Sequence, residues 1–167
     1  MIDPKTINPE ISQNFAKQIN LKANKGTYRL IKKFEGQKIV IDVFPGVFPP
    51  GSREHSISSK LVYTNLGDVL DKEVLDLGCG SGIESIVAVL AGAKHVDAID
   101  VNQDAVACTE HNAEINGLKE KITVFQSNLF FSVPPKPYNL IIANLPIVNF
   151  EPNNVSEGIK KALYDPG

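Results

Sequence analysis

Apolar positions along the chain follow two regimes that meet near residue 70. In residues 1–20, Ile11, Phe15 and Ile19 recur at spacings of four, the stripe of a short amphipathic helix that packs on another element. Two runs suited to strands follow, Thr27–Phe34 and Lys38–Phe44, and Glu35-Gly36-Gln37 between them predicts a β-hairpin. Phe44-Pro-Gly-Val-Phe-Pro-Pro-Gly51 then holds three prolines and two glycines, which exclude regular structure and mark a loop. From His55 to Leu70, the positions Ile57, Leu61, Val62, Leu66 and Val69 keep helical spacing, with Ser56 as N-cap.

From residue 74 short apolar runs alternate regularly with helical patterns. The expected elements are a strand Val74–Leu77, a helix Gly82–Ala91, a strand His95–Asp100 and a helix Gln103–Asn116 stopped by Gly117. Two further strands, Ile122–Gln126 and Tyr138–Ala143, and a last helix Val155–Tyr164 complete the pattern. Such alternation predicts the α/β class, a doubly wound, Rossmann-like parallel sheet. The chain divides into an N-terminal helix and β-hairpin extension at 1–50 and a domain at 51–167 with its core at 74–150.

The chemistry is expected at Val74-Leu-Asp-Leu-Gly-Cys-Gly-Ser-Gly82, where a buried strand breaks at three glycines and passes into a helix. Glycines there permit positive φ and let a ligand lie against backbone N–H groups at the positive end of the helix dipole. The dinucleotide fingerprint G-x-G-x-x-G would require glycine at Ile83, so a nicotinamide cofactor is disfavoured. In an open parallel sheet, ligands collect beyond the carboxyl ends of the strands, which singles out Asp100, Asn128 and Asn144. Asp100 lies 22 positions after Gly78, where an acid can accept hydrogen bonds from ribose hydroxyls, or can serve as an N-terminal helix acid.

The pattern Asp76-x-Gly78-x-Gly80-x-Gly82 resembles motif I of the class I S-adenosylmethionine-dependent methyltransferases. That resemblance covers about residues 45–150 and implies S-adenosyl-L-methionine as cofactor. Asp76, Gly78, Cys79, Gly80 and Gly82 would then hold its methionine end, Asp100 and Val101 its ribose, and Asn128 and Leu129 its adenine. Asn128 stands where the family commonly carries Asp; its amide oxygen still accepts from the adenine amine. Phe130 and Phe131 are expected to flank the base or to join the core. Asn144-Leu145-Pro146-Ile147 resembles the N-P-P-[YF] motif of enzymes that methylate the planar nitrogens of adenine, cytosine or glutamine, among them release-factor glutamine and nucleic-acid adenine methyltransferases. Asn144 and Pro146 would be the catalytic pair, an amide oxygen and a nearby carbonyl that accept the two hydrogens of the acceptor amine. Leu145 replaces the commoner proline, as in the rRNA adenine dimethyltransferases, and Ile147 replaces an aromatic that normally stacks on the target, a role open to Phe150. The Pro-rich loop and the helix after it resemble the lid of the same small enzymes, or form a linker.

The family sheet has seven strands in order 3-2-1-4-5-7-6, yet only about 24 residues follow the fourth strand here. The domain therefore reads as C-terminally incomplete. The hairpin, a second chain, or a natural protein continuing past Gly167 would cover strand four, and the turn-like Tyr164-Asp-Pro-Gly167 favours the last.

Composition narrows the class further. With 167 residues, 43% of them hydrophobic, the chain can bury a real core. No apolar run is long enough to span a membrane, no signal-peptide pattern begins the chain, and two cysteines make neither a disulfide framework nor a zinc site. The expected compartment is a reducing cytoplasm. His55, His95 and His111 share no ligand spacing and are expected to face solvent or cap helices. Residues 1–60 hold ten Lys/Arg against five Asp/Glu, while residues 61–167 hold seven against fourteen. The basic N-terminal region is a docking arm for nucleic acid or a solvated surface. The acceptor stays open among RNA, DNA and a protein amide. An inactive cofactor-binding subunit that supports a partner is the alternative to an enzyme.

Overall fold

The computed structural model describes residues 9–50, 57–145 and 151–164. Elements occur in the order α1 (Pro9–Ala23), β1 (Tyr28–Phe34), β2 (Gln37–Val43), α2 (Ile57–Thr64), β3 (Glu73–Leu77), α3 (Ile83–Leu90), β4 (His95–Asp100), α4 (Gln103–Ile115), β5 (Ile122–Gln126), β6 (Leu140–Ala143) and α5 (Glu157–Leu163). The alternating elements fold as the sequence pattern predicts. The strands β5-β4-β3-β6 form one parallel sheet, and β1 and β2 form a separate antiparallel hairpin in which Tyr28 faces Val43.

β3 holds the centre because Val74, Leu75, Asp76 and Leu77 are buried on both faces. On one face, Ile83, Ile86 and Val87 of α3 and Ala105 and Cys108 of α4 pack against Val74, Val96 and Ala98. On the other, Leu75, Leu77 and Ile99 meet Phe125, Val133 and Tyr138. Lys136 links Glu73 of β3 to Asp97 of β4 at 3.0 and 2.8 Å, and Tyr138 donates to Asp97 at 2.6 Å.

The hairpin joins the same core. Ile39, Ile41 and Val43 alternate into it from β2, while side-chain amides of α4 bond to the β2 edge. Asn116 exchanges two hydrogen bonds with the backbone of Val40, at 3.0 and 2.7 Å. Asn112 does the same with Asp42, at 2.8 and 2.8 Å, and also donates to the Ser81 carbonyl at 2.9 Å. The amides thus act as the strand that β2 lacks on that side. The hairpin lies against α4 and pairs with no strand of the parallel sheet, so among the described residues no strand pairs with the outer edge of β6.

The helix α2 is shorter than the sequence reading. The His55–Leu70 pattern yields helix only to Thr64, because Thr64 and Asn65 bond back to the carbonyls of Lys60 and Leu61, and Gly67 turns the chain at φ 70°. His55 and Ser56 lie outside the described residues. At the two ends of the chain, Ala16, Ile19 and Ala23 of α1 pack on Ile159 and Leu163 of α5, with Phe48 of the Pro-rich loop alongside. No helix among the described residues is long and apolar enough to cross a membrane.

Candidate functional site

A cavity of about 500 Å³ opens beyond the carboxyl ends of the parallel strands. The glycine turn after β3 forms its floor. Its N–H groups are not turned toward the cavity as the sequence suggested: Gly78 and Cys79 both donate to the Ile99 carbonyl at 2.9 Å, Gly80 donates to Asp100 at 2.9 Å, and Gly82 donates to the Cys79 carbonyl at 2.7 Å. The turn is folded by strand β4, and what it offers a ligand is the absence of side chains. Gly82 has another constraint, since at φ 76° a Cβ there would lie 2.8 Å from Cγ2 of Thr109. The close approach lets Thr109 reach the turn with hydrogen bonds to the Gly80 carbonyl at 3.1 Å and Cys79 Sγ at 3.3 Å. Ser81 Oγ, in the cavity wall, is buried and has no hydrogen-bond partner among the described residues.

Three carboxylates surround this floor. Asp76 is 1% exposed and accepts a 2.5 Å hydrogen bond from Ser85 Oγ. Burial, reinforced by the neighbouring charge of Glu84, pushes its carboxyl well above the usual range. Glu84 is also buried, and desolvation raises its pKa against the opposing hydrogen bonds from Ser59, its own backbone and Asn144. Asp100 accepts from the N–H groups of Gly80 and Asn102, both at 2.9 Å; burial raises its pKa, and these bonds and the more distant Lys161 oppose the rise. Asn144, beyond β6, donates from Nδ2 to Glu84 at 3.1 Å and to Ser59 Oγ at 3.2 Å. Among the described residues, no group of three or more His, Cys, Asp or Glu side chains is arranged to hold a metal ion.

Of the residues singled out in the sequence, Gly78, Cys79, Gly80, Asp100, Val101, Asn128, Leu129 and Asn144 line this one cavity. Asp76 sits beneath it and Gly82 behind it, while Pro146, Ile147 and Phe150 lie outside the described residues. Phe130 and Phe131 neither line the cavity nor join the core; they are 57% and 93% exposed, because Leu129 enters the left-handed region at φ 46° and turns the loop outward. Two histidines have side-chain partners that the spacing did not predict: His111 bonds Asp42 at 2.9 Å with its ring 5.2 Å from that of Phe44, and His95 contacts Thr123 at 2.9 Å.

Sequence reasoning missed Phe15, Phe48, Ser59, Glu84 and Lys161 in the wall. One of them had a signal, since Glu84 is the lone charge in the helix Ile83–Leu90. The others come from elements far away in sequence.

The chain matches the family described as ribosomal protein L11 methyltransferase (PrmA) over residues 17–161. A protein of that name from Agathobacter rectalis is 32% identical over 151 residues, covering 80% of this chain and 46% of its own length. One from Legionella pneumophila (strain Corby) is 39% identical over 99 residues, covering 57% of this chain and 32% of its own. The chain thus spans about a third to a half of the length of these relatives. The crystal structure of the ribosomal protein L11 methylase from Lactobacillus delbrueckii subsp. bulgaricus superposes with a TM-score of 0.47 at 28% identity, over 57% of this chain and 49% of the other. The narrower resemblance to the release-factor glutamine group gains no support from these matches.

Proposed function

The chain belongs to the ribosomal protein L11 methyltransferase (PrmA) family, and from that premise we propose that it binds S-adenosyl-L-methionine and directs its methyl group to a nitrogen of a protein acceptor, with ribosomal protein L11 as the first candidate. The observation that carries this reading is the placement of Glu84 and Asp100 in the wall of a cavity at the ends of parallel strands. Such a wall favours a ligand with positive charge. S-adenosylmethionine has two cationic groups, a sulfonium and an ammonium, whereas the pyrophosphate of a nicotinamide dinucleotide would meet carboxylates and N–H groups already in use. A volume of about 500 Å³ suits a nucleoside-sized molecule, and unpartnered Ser81 Oγ supplies a polar contact for it.

When bound, the cofactor supplies an electrophilic methyl on sulfur. The protein's part is binding, orientation and exclusion of water. Asp100, still holding lone pairs beyond its backbone N–H contacts, accepts the ribose hydroxyls, with Val101 beside it. Asn128 and Leu129 meet the adenine, and the bare floor of Gly78, Cys79 and Gly80 underlies the methionine end, with Asp76 beneath and Gly82 shaping the turn. Phe15 and Phe48 close the cavity from the N-terminal side. Asn144 turns its Oδ1 to an acceptor N–H, holding the nitrogen lone pair toward the methyl, with Pro146 in the adjoining backbone.

The test is labelled methyl transfer to purified L11, with cofactor affinity measured by calorimetry. Asn144→Ala is expected to abolish transfer while leaving cofactor affinity nearly intact. Asp100→Ala is expected to weaken cofactor binding by about 1–3 kcal/mol, the cost of hydroxyls without their charged acceptor. Tight cofactor binding with no transfer to L11 would favour the non-enzymatic subunit, and binding of NAD in its place would overturn the reading.

A further inference from the structure

We propose that Glu84 is the positioning residue for Asn144, and that with Ser59 it holds the Asn144 amide in the single orientation that presents Oδ1 to an acceptor nitrogen. The inference rests on the reading that Asn144 receives the acceptor, and it adds what decides which end of that amide faces the cavity. Three elements meet at this point: Ser59 comes from α2, Glu84 from the first turn of α3, and Asn144 from the segment after β6. The contacts close a triangle in which Asn144 Nδ2 donates to Glu84 Oε1 at 3.1 Å and to Ser59 Oγ at 3.2 Å, while the Ser59 hydroxyl bonds Glu84.

The chemistry makes the arrangement one-way. An ionised carboxylate only accepts, so the end of the amide facing it must be the NH₂. With both Nδ2 protons used, the planar amide turns Oδ1 away from Glu84 and Ser59. Reversing the amide would set Oδ1 against a carboxylate in a buried site, an unfavourable contact of like partial charges.

The charge is costly where it stands. Glu84 is 5% exposed in a helix whose other positions are Ile83, Ser85 and apolar residues, and a buried carboxylate loses its hydration. Leucine would occupy the volume without that cost. Serine and asparagine are likewise buried or half-buried here, so each group has found its partner within the triangle. The groups facing Glu84 are Ser59 from α2, Asn144 from the β6 side, its own backbone N–H and, through space, Asp76 of β3. On protonation, Glu84 becomes a donor as well as an acceptor and no longer discriminates between the two ends of the amide.

The test uses the full chain and has one arm independent of turnover. The Asn144 side-chain amide pair in a ¹⁵N spectrum, identified by its loss in Asn144→Ala, is expected to exchange slowly and to shift as pH falls through the titration of Glu84. In Glu84→Gln, which keeps the shape, the pair should no longer titrate. In the second arm, Glu84→Leu should be at least as stable to heat as the parent, while kcat for labelled transfer to L11 falls about tenfold or more with the cofactor saturating. Glu84→Gln should lose the acid limb of the pH–rate profile. An Asn144 pair that titrates alike in parent and Glu84→Gln overturns the proposal, as does a Glu84→Leu protein with kcat within about twofold of the parent. If the parent transfers no methyl to L11, the functional reading fails by itself, and the amide spectrum still decides whether Glu84 orients Asn144.

Discussion

Asp76 shows how one buried side chain sets a property of the whole chain. Its carboxyl is enclosed between Ser85 and Glu84, and its pKa is pushed up to about 8 from 3.8, by burial first and then by the charge of Glu84. The unfolded chain therefore releases this proton near pH 4, while the folded chain keeps it until near pH 8. Between those values the folded state binds more protons, so the contribution of this group to stability falls as pH rises, by at most about 1.4 kcal/mol per pH unit. Asp42 acts with the opposite sign outside that window. The Arg29 guanidinium at 2.7 and 2.8 Å, aided by His111, holds its pKa down to about 2, and the stability it supplies is present above pH 4 and lost as pH falls toward 2. Urea unfolding at a series of pH values from 5 to 8 should show Asp76→Asn flattening the parent's decline; an unchanged slope would mean that Asp76 is ionised in the folded chain. The position of Asp76 was legible as the acid before the glycines. Its protonation was not, because desolvation depends on Ser85, Glu84 and the sheet around it.

At the scale of elements, α4 is where hairpin and sheet become one core. Cys108, Asn112 and Asn116 are spaced by four, so a single helix face runs along β2, with Cys108 Sγ 3.2 Å from the Asp42 carbonyl. Asn112 is fully buried and bonds both β2 and the Ser81 carbonyl of the glycine turn. Asn112→Ala strands the Asp42 N–H and the Ser81 carbonyl and is expected to cost about 1–3 kcal/mol, with loss of hydrogen-exchange protection at the Asp42 amide and weaker cofactor binding through the loosened turn. Full protection at Asp42 would show that another group replaces the amide. The elements themselves were largely legible: β4 and β5 have the expected bounds, and α4 ends one residue early. Their junction was not, since two asparagines four apart also read as a solvated face until the hairpin lies on them. The reverse failure is Phe130-Phe131, whose size suggested burial although the positive φ of Leu129 turns both outward.

The molecule as a whole brings its first and last described helices to one cavity. α1 packs on α5, Phe15 of the first and Lys161 and Leu163 of the second line the wall, and Gly158 lies so close to Gly46 that any Cβ would collide with the Gly46 carbonyl oxygen. Cofactor binding is therefore expected to slow amide exchange in both α1 and α5 as well as in the glycine turn, with a rise in Tm that grows with ligand concentration. Protection confined to the turn would show that the helices take no part in binding. The fold class, the succession of strands and helices along the chain and the positions of Asp76, the glycines, Asp100, Asn128 and Asn144 were determined by local sequence, because period, glycine spacing and strand ends are properties of neighbouring residues; the order of the strands in the sheet came only with the family resemblance. The narrower resemblance of Asn144-Leu145-Pro146-Ile147 to the release-factor glutamine group gained no support from the family match. Only the tertiary structure decided that the N–H groups of Gly78, Cys79 and Gly80 bond to β4, that Phe15 and Lys161 share a wall, and that Ser59 and Glu84, 85 and 60 residues before Asn144, hold its amide. Those facts depend on burial and on contacts between distant elements, and neither is encoded in the pattern of any one stretch.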